Sequence, residues 1–139
     1  MKKIILILFS GLYLVSCQAQ NQDEVNHEPQ SQTQNKSKYS VLSQSEFEKA
    51  ISSGDKTIVD VRTPEEYNEG HIKNARNIDY FDSDFQTKMA ALDKEKPIYI
   101  YCKSGNRSGK AGKILVDLGF KEVYDLKGGA MSWSGALIK

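Results

Sequence analysis

Six consecutive residues, Cys102-Lys103-Ser104-Gly105-Asn106-Arg107, are the part of this chain best suited to chemistry. They follow the aromatic and β-branched run Ile98-Tyr99-Ile100-Tyr101, which has the composition of a strand. Beyond them, Ser108 to Leu118 places Ala111, Ile114, Leu115 and Leu118 on one helical face, with Gly119 as its stop. The six residues therefore form a loop leading from a strand end into a helix N-terminus. Such a loop turns several backbone N–H groups toward one point, and the helix dipole adds positive potential there. A cysteine at its mouth gains thiolate character without a histidine base. Gly105 permits tight curvature, while Lys103 and Arg107 supply cationic donors for an incoming anion. A lone cysteine is more often a small buried hydrophobe, but the polar run after Cys102 is wrong for a core segment.

The elements that must position this loop alternate between strand and helix. Ser43 and Glu46 are spaced as a capping box for a helix through about Ile51, which Gly54-Asp55 closes. Thr57 to Val61 reads as a buried strand. Thr63-Pro64-Glu65-Glu66 then supplies an N-cap, a first-turn proline and first-turn acids for a second helix ending at Gly70. A third helical stretch runs from Asp82 or Ser83 to about Leu92, and Val123 to Leu126 is a last strand. Gly128-Gly129 turns into a closing helix that carries Met131 and Trp133, which with Tyr99 are expected in the core or a pocket wall. No internal repeat is evident. Strands alternating with helices indicate an open, mainly parallel α/β sheet with helices on both faces.

Composition bounds the alternatives. The chain has 139 residues, enough for one domain, and a formal charge of +1 provides no global field for nucleic acid. Two cysteines cannot build a disulfide framework, and the two histidines, His27 and His71, are a poor supply for a metal cluster. No metal or organic cofactor is implied. Asp60 and Arg62 read as structural support through hydrogen bonding and ion pairing. His71 reads as a structural hydrogen-bonding residue, and His27 as a solvated one.

The front of the chain has a separate character. Lys2 and Lys3 precede the apolar run Ile4–Val15, which as a helix reaches about 18 Å, short of the ~30 Å of a hydrocarbon core. This reads as a secretion signal and not as a span. Leu14-Val15-Ser16-Cys17 resembles the lipobox of bacterial lipoproteins. The resemblance implies cleavage after Ser16, lipidation of Cys17, and a lipid anchor in the bacterial cell envelope on the periplasmic face of a membrane. Gln18 after that cysteine points to the outer membrane by analogy with Gram-negative sorting rules. Losing Lys2 and Lys3 would move the formal charge from +1 to −1, so the charge argument stands. Gln18 to Lys38 holds six Gln and three Asn with Ala19 and Val25 as its aliphatic residues, too little to bury. It reads as a disordered tether with a mean reach of about 25 Å. The domain organisation is thus a signal peptide over 1–16, a lipidated Cys17 and tether over 17–38, and a folded domain over 39–139.

Over residues 40–139 the sequence resembles the rhodanese-like family. Asp60-Val61-Arg62 with Glu66, Gly70-His71-Ile72, the loop 102–107 and Gly128-Gly129-x-x-x-Trp133 carry the resemblance, in order along the chain. It implies a five-stranded, mainly parallel sheet. Cys102 would be a nucleophile that holds a sulfane sulfur as a persulfide, with Lys103, Ser104, Gly105, Asn106 and Arg107 as its cradle. The implied partners are a small-molecule sulfur donor, thiosulfate or a persulfide, and a cyanide or thiol acceptor. Ser134 to Lys139 lacks the glycine–proline ending common in the family, a departure expected to affect only the final turn. Two other functions compete. One is a non-catalytic module of the same family that binds a partner. The other is a cysteine-dependent phosphatase or arsenate reductase, which places five residues between Cys and Arg where this chain has four.

The anchor is open to direct measurement. Native protein should partition with membranes, and Cys17→Ser should release it or leave it unprocessed. Mass spectrometry of the mature N-terminus should find an acylated Cys17; an unmodified terminus downstream of it would leave plain secretion.

Overall fold

The computed structural model describes residues 37–139. The expected signal peptide, His27, the expected lipidation site Cys17 and the expected tether up to residue 36 lie outside the described residues. Lys38 begins the first strand, one residue ahead of the expected domain boundary.

Seven strands and four helices make up the described chain. They run as β1 (Lys38–Leu42), α1 (Gln44–Ile51), β2 (Thr57–Asp60), α2 (Pro64–Glu69), β3 (His71–Ile72), β4 (Arg76–Asn77), α3 (Phe85–Ala90), β5 (Ile98–Tyr101), α4 (Asn106–Asp117), β6 (Glu122–Leu126) and β7 (Leu137–Ile138). Five strands form one sheet in the order β1-β6-β5-β2-β4, with every pairing parallel. β5 sits at its centre, so the loop after it opens at the sheet's carboxyl edge, between the ends of β2 and β6. No helix among the described residues is long and apolar enough to cross a membrane.

Alternation along the central strands divides the interior into two cores. Val59, Val61, Ile98, Ile100, Cys102 and Val123 face one side, where Phe85 and Met89 of α3 and Ala111 and Leu115 of α4 cover them. Ile58, Tyr99, Tyr101 and Leu126 face the other, where Phe47 of α1 fills the centre and Trp133 packs edge-on against it at 6.3 Å. All four residues of β5 are buried, as a central parallel strand covered on both faces requires.

Local sequence chemistry places the helix starts. The Ser43 capping box begins α1, and Thr63 makes a second one with Glu66 ahead of α2, where Pro64 occupies the first turn. α4 begins at Asn106, two residues earlier than its apolar spacing predicts, because Gly105 is its N-cap in the left-handed region. α3 is shorter than predicted and covers only Phe85–Ala90; residues 79–84 instead form turns in which Asp79 and Asp82 accept backbone N–H groups.

Three differences concern the edges. The local sequence signals begin with α1, whereas β1 precedes it and pairs along its whole length with β6. The predicted closing helix is a single 3-10 turn, Gly129–Ser132. There the Ser132 hydroxyl bonds the carbonyls of Lys127 and Gly129, folding the segment back on itself, and Met131 points into solvent at 73% exposure instead of joining the core. Finally, the C-terminal residues form β7, antiparallel to β3, in place of a simple final turn.

β1 is held by a close approach. The Tyr39 ring lies against Gly112 of α4 so tightly that a Cβ there would overlap it. Gly112→Ala should therefore cost about 1–3 kcal/mol in urea denaturation, the usual range for overpacking. An unchanged midpoint would mean that β1 does not bear on α4 in this way.

Candidate active site

Cys102 leaves the end of β5 with its side chain turned into the core, and the residue is 1% exposed. Burial by itself pushes its thiol up, away from the charged form. The opposing groups are the Ser108 hydroxyl and the backbone N–H groups of Ser108, Ser104 and Gly105, and together they hold the thiol below its ordinary value. Gly105 N–H lies 3.1 Å from Sγ and the Ser108 hydroxyl 3.4 Å. Ser108 is the third residue of α4, so its N–H has no partner within the helix and is available to the sulfur. Gly105, at φ +95°, takes the backbone where a side chain would be strained, which lets successive N–H groups face inward.

A second turn props the loop from behind. Ala130 N–H donates to the Cys102 carbonyl at 2.8 Å, and Met131 N–H to the Lys103 carbonyl at 3.0 Å. Gly129 fits beneath these carbonyls at φ +61°; a Cβ there would overlap the Cys102 oxygen. The Gly-Gly pair read as a turn is thus part of the loop's foundation. Lys103, Ser104 and Asn106 stand exposed around the site.

Arg107 sits differently from a free anion donor. Its guanidinium grips Glu66 of α2 with both terminal nitrogens, at 2.6 and 2.9 Å, beneath the exposed Phe81 ring at 5.7 Å. The Arg107 hydrogen bond is the main reason the Glu66 carboxyl is held down at about 2, assisted by the Thr63 N–H against some desolvation. The pair ties α4 to α2 across the mouth of the site, and its carboxylate offsets the positive charge that Arg107 brings.

Asp60, Arg62 and His71 lie outside the loop. Asp60 is fully buried at the end of β2, and Arg62 binds both its oxygens, at 2.6 to 3.0 Å. Arg62 also reaches the Gly70 carbonyl at 2.7 Å, and the Asn77 amide joins the Asp60 and Arg62 carbonyls. His71 stacks on Tyr67 at 3.8 Å with Nδ1 near the Tyr67 carbonyl. This cluster holds the chain on either side of α2, the helix that presents Glu66 to Arg107. Ser108 carries no site signal in the sequence, where it reads only as the first residue of a helix. Its neighbour on β6, the buried Asp125, gave no motif signal at all. Among the described residues no cluster of His, Cys, Asp or Glu side chains is placed to hold a metal ion.

Comparison with known proteins identifies relatives of this fold. Residues 43–136 match the rhodanese-like domain family. The thiosulfate sulfurtransferase GlpE of Coxiella burnetii is 38% identical over 95 residues, which cover 68% of this chain and 87% of that protein. The uncharacterized protein YqhL of Bacillus subtilis is 40% identical over 80 residues, 58% of this chain but only 62% of its own length. Among solved structures, a rhodanese-related protein from Thermoplasma volcanium superposes with a TM-score of 0.64 at 30% identity, covering 72% of this chain and 98% of that one.

The Glu66–Arg107 clamp should show in acid. Glu66 binds protons more weakly folded than unfolded, so its contribution is present above the ordinary carboxyl value of 4.5 and is lost as pH falls toward about 2. Glu66→Gln should lower stability at neutral pH and flatten the decline between those limits in urea melts. An acid profile identical to the parent's would show that the pair does not stabilise the fold.

Proposed function

The chain belongs to the rhodanese-like domain family, and from that premise we propose that it is a sulfurtransferase in which Cys102 carries the transferred sulfur. The observation that carries this reading is a buried thiol whose acidity is raised by converging hydrogen-bond donors. A sulfur so held is ready to attack, and its surroundings suit a terminal negative charge after the attack.

In the first half-reaction the Cys102 thiolate attacks the outer sulfur of thiosulfate. The donor's S–S bond breaks, sulfite leaves with the electron pair, and a persulfide remains on Cys102. A persulfide donor reacts in the same way and releases a thiolate. In the second half-reaction cyanide or an acceptor thiolate attacks the terminal sulfur, and Cys102 leaves as the thiolate it was. The N–H groups of Ser104, Gly105 and Ser108 serve the thiolate at the start and end of the cycle, and the same donor cluster supports the charged persulfide between the steps. Lys103 at the exposed rim supplies positive charge for the approach of a dianion.

A rhodanese-like module that only binds a partner would have no use for such a tuned thiol. A phosphatase would need an arginine free to grip a tetrahedral oxyanion, whereas Arg107 follows Cys102 after four residues and is bound to Glu66. We further propose that Cys17 is lipidated and that the domain works in the cell envelope, on the strength of the basic start, the short apolar run and Leu14-Val15-Ser16-Cys17.

Full-length chain carrying Cys17→Ser, with Cys102 as its one thiol, tests the intermediate. Supplied with thiosulfate and no acceptor, it should gain one sulfur, about 32 Da by intact mass, and lose it to cyanide. Cys102→Ala should gain nothing. A parent that stays unmodified with both thiosulfate and an organic persulfide would remove the sulfurtransferase reading in favour of a binding module.

A further inference from the structure

Phe81 and Met131 are the most exposed large apolar side chains among the described residues, at 68% and 73%, and both stand beside the 102–107 loop. Apolar surface left open next to a reactive group marks a place of ligand contact. The direction of the sulfur separates the two. Cys102 turns into the layer that α3 and α4 cover, whereas Met131 belongs to the turn that backs the loop's carbonyls, with Ala130 and Trp133 packed on the opposite core. A molecule lying alongside the sulfur therefore lies on the Phe81 side.

On that side Phe81 is fixed in its exposed position. Its N–H donates to the Asp79 carboxylate at 3.0 Å, and the Tyr80 N–H ties the same turn to the Val61 carbonyl just past β2. The Phe81 ring meets Tyr80 edge-on at 5.5 Å, and Tyr80 meets Phe85 of α3 at 5.5 Å, so three rings stand in a row. These rings and Ile114 of α4 line a groove of about 580 Å³, a volume suited to a small organic molecule. Ile114 lies two turns beyond Arg107 on the same face of α4, so the groove runs along that helix toward its first turn. There the Phe81 ring stands 5.7 Å from the Arg107 guanidinium, and Ser108, next in the chain, places its hydroxyl 3.4 Å from Sγ. The single charged residue in the lining is Asp82, which is already paired with Lys88. A charged group laid on these rings would lose water and find no free counter-charge, whereas a neutral apolar group would not meet that cost.

We propose that this groove holds the body of the acceptor, and that the preferred acceptor is a thiol carried on an uncharged, ring-sized apolar group. The inference rests on Cys102 being the sulfur carrier. The acceptor's thiolate forms a bond to the terminal sulfur of the Cys102 persulfide, the S–S bond to Cys102 breaks, and Cys102 keeps the electron pair as its thiolate. The carrier departs as its own persulfide. With its ring against Phe81 during the attack, burial of apolar surface brings the two sulfurs together, and Phe81 sets the choice of acceptor.

Three thiols that share a two-carbon stem and differ only at its end test this: 2-phenylethanethiol, 2-mercaptoethanol and 3-mercaptopropionate. The full-length Cys17→Ser chain is loaded with thiosulfate, freed of it, and discharged by each thiol while intact mass follows the added sulfur. At limiting thiol the phenyl compound should act about tenfold faster than the hydroxyl one, as burial of a ring implies, and the carboxylate should gain nothing over the hydroxyl. Phe81→Ala, a change at an exposed side chain, should cut the phenyl-to-hydroxyl ratio about fivefold. Equal rates for the three thiols overturn the proposal and leave the Phe81 ring to a protein partner. Fastest discharge by the carboxylate overturns it too, as does a ratio that falls with Met131→Ala and not with Phe81→Ala.

The place of binding is read without turnover. Irradiated with 4-(hydroxymethyl)benzophenone, a neutral aromatic photoprobe, the full-length chain carrying Cys17→Ser and Cys102→Ala should be labelled within residues 80–87. 2-Phenylethanethiol should compete with that labelling where 2-mercaptoethanol does not. Labelling that avoids this segment overturns the proposal even if the parent transfers sulfur. A parent that never loads, in a chain labelled there with that competition, removes the sulfur-carrier reading and upholds the ligand class of the groove.

Discussion

Cys102 is removed from water, and a sulfur removed from water resists carrying negative charge unless other dipoles replace the solvent. Here the replacement comes from Ser104, Gly105 and Ser108, whose N–H groups converge because the loop turns through a left-handed glycine into a helix start. None of these donors is strong alone. Their worth lies in being held in place before any charge forms, so that no reorganisation is needed when it does.

Holding them in place requires bracing from more than one element. The Gly129 turn supports the loop's carbonyls from below, so that its N–H groups are left to face the sulfur. At the far end, Arg107 is pinned to Glu66, which ties the first turn of α4 to α2. The Asp60–Arg62–Gly70 cluster in turn holds the chain that enters and leaves α2. Arg107 is thereby given to structure, and the loop amides with the Ser108 hydroxyl remain as the donors to the sulfur.

The two buried carboxyls show opposite solutions to one problem. Asp60 is met by a guanidinium on both oxygens, a pairing that compensates its removal from water. Asp125 accepts one side-chain hydrogen bond, from the Tyr39 hydroxyl at Oδ2, while its Oδ1 has no partner, and burial pushes its carboxyl up. The first is a structural ion pair, and the second has no counter-charge among the described residues.

Much of this molecule is legible in local sequence. The capping residues Ser43 and Thr63, the β-branched run 57–61 and the buried strand 98–101 each specify their element by short-range chemistry, and the structure places those elements there, with the strand of the first run ending at Asp60. The loop from Cys102 to Arg107 is equally legible, since a polar, glycine-containing run between an apolar strand and an amphipathic helix has few other uses. What the sequence leaves undetermined are the long-range pairings. β1 carries no strand signal of its own because it is an edge strand with no fully buried residue, and β3 and β7 are two-residue strands that exist only through each other. The Glu66 grip on Arg107 spans 41 positions, and the Tyr39 bond to Asp125 spans 86. No local pattern encodes such contacts, because they arise only when the parallel sheet brings distant strand ends to one edge. The candidate sulfur and its donors are thus written within a few consecutive residues, while the Gly129 turn and the Glu66 ion pair that brace them are assembled by the tertiary fold.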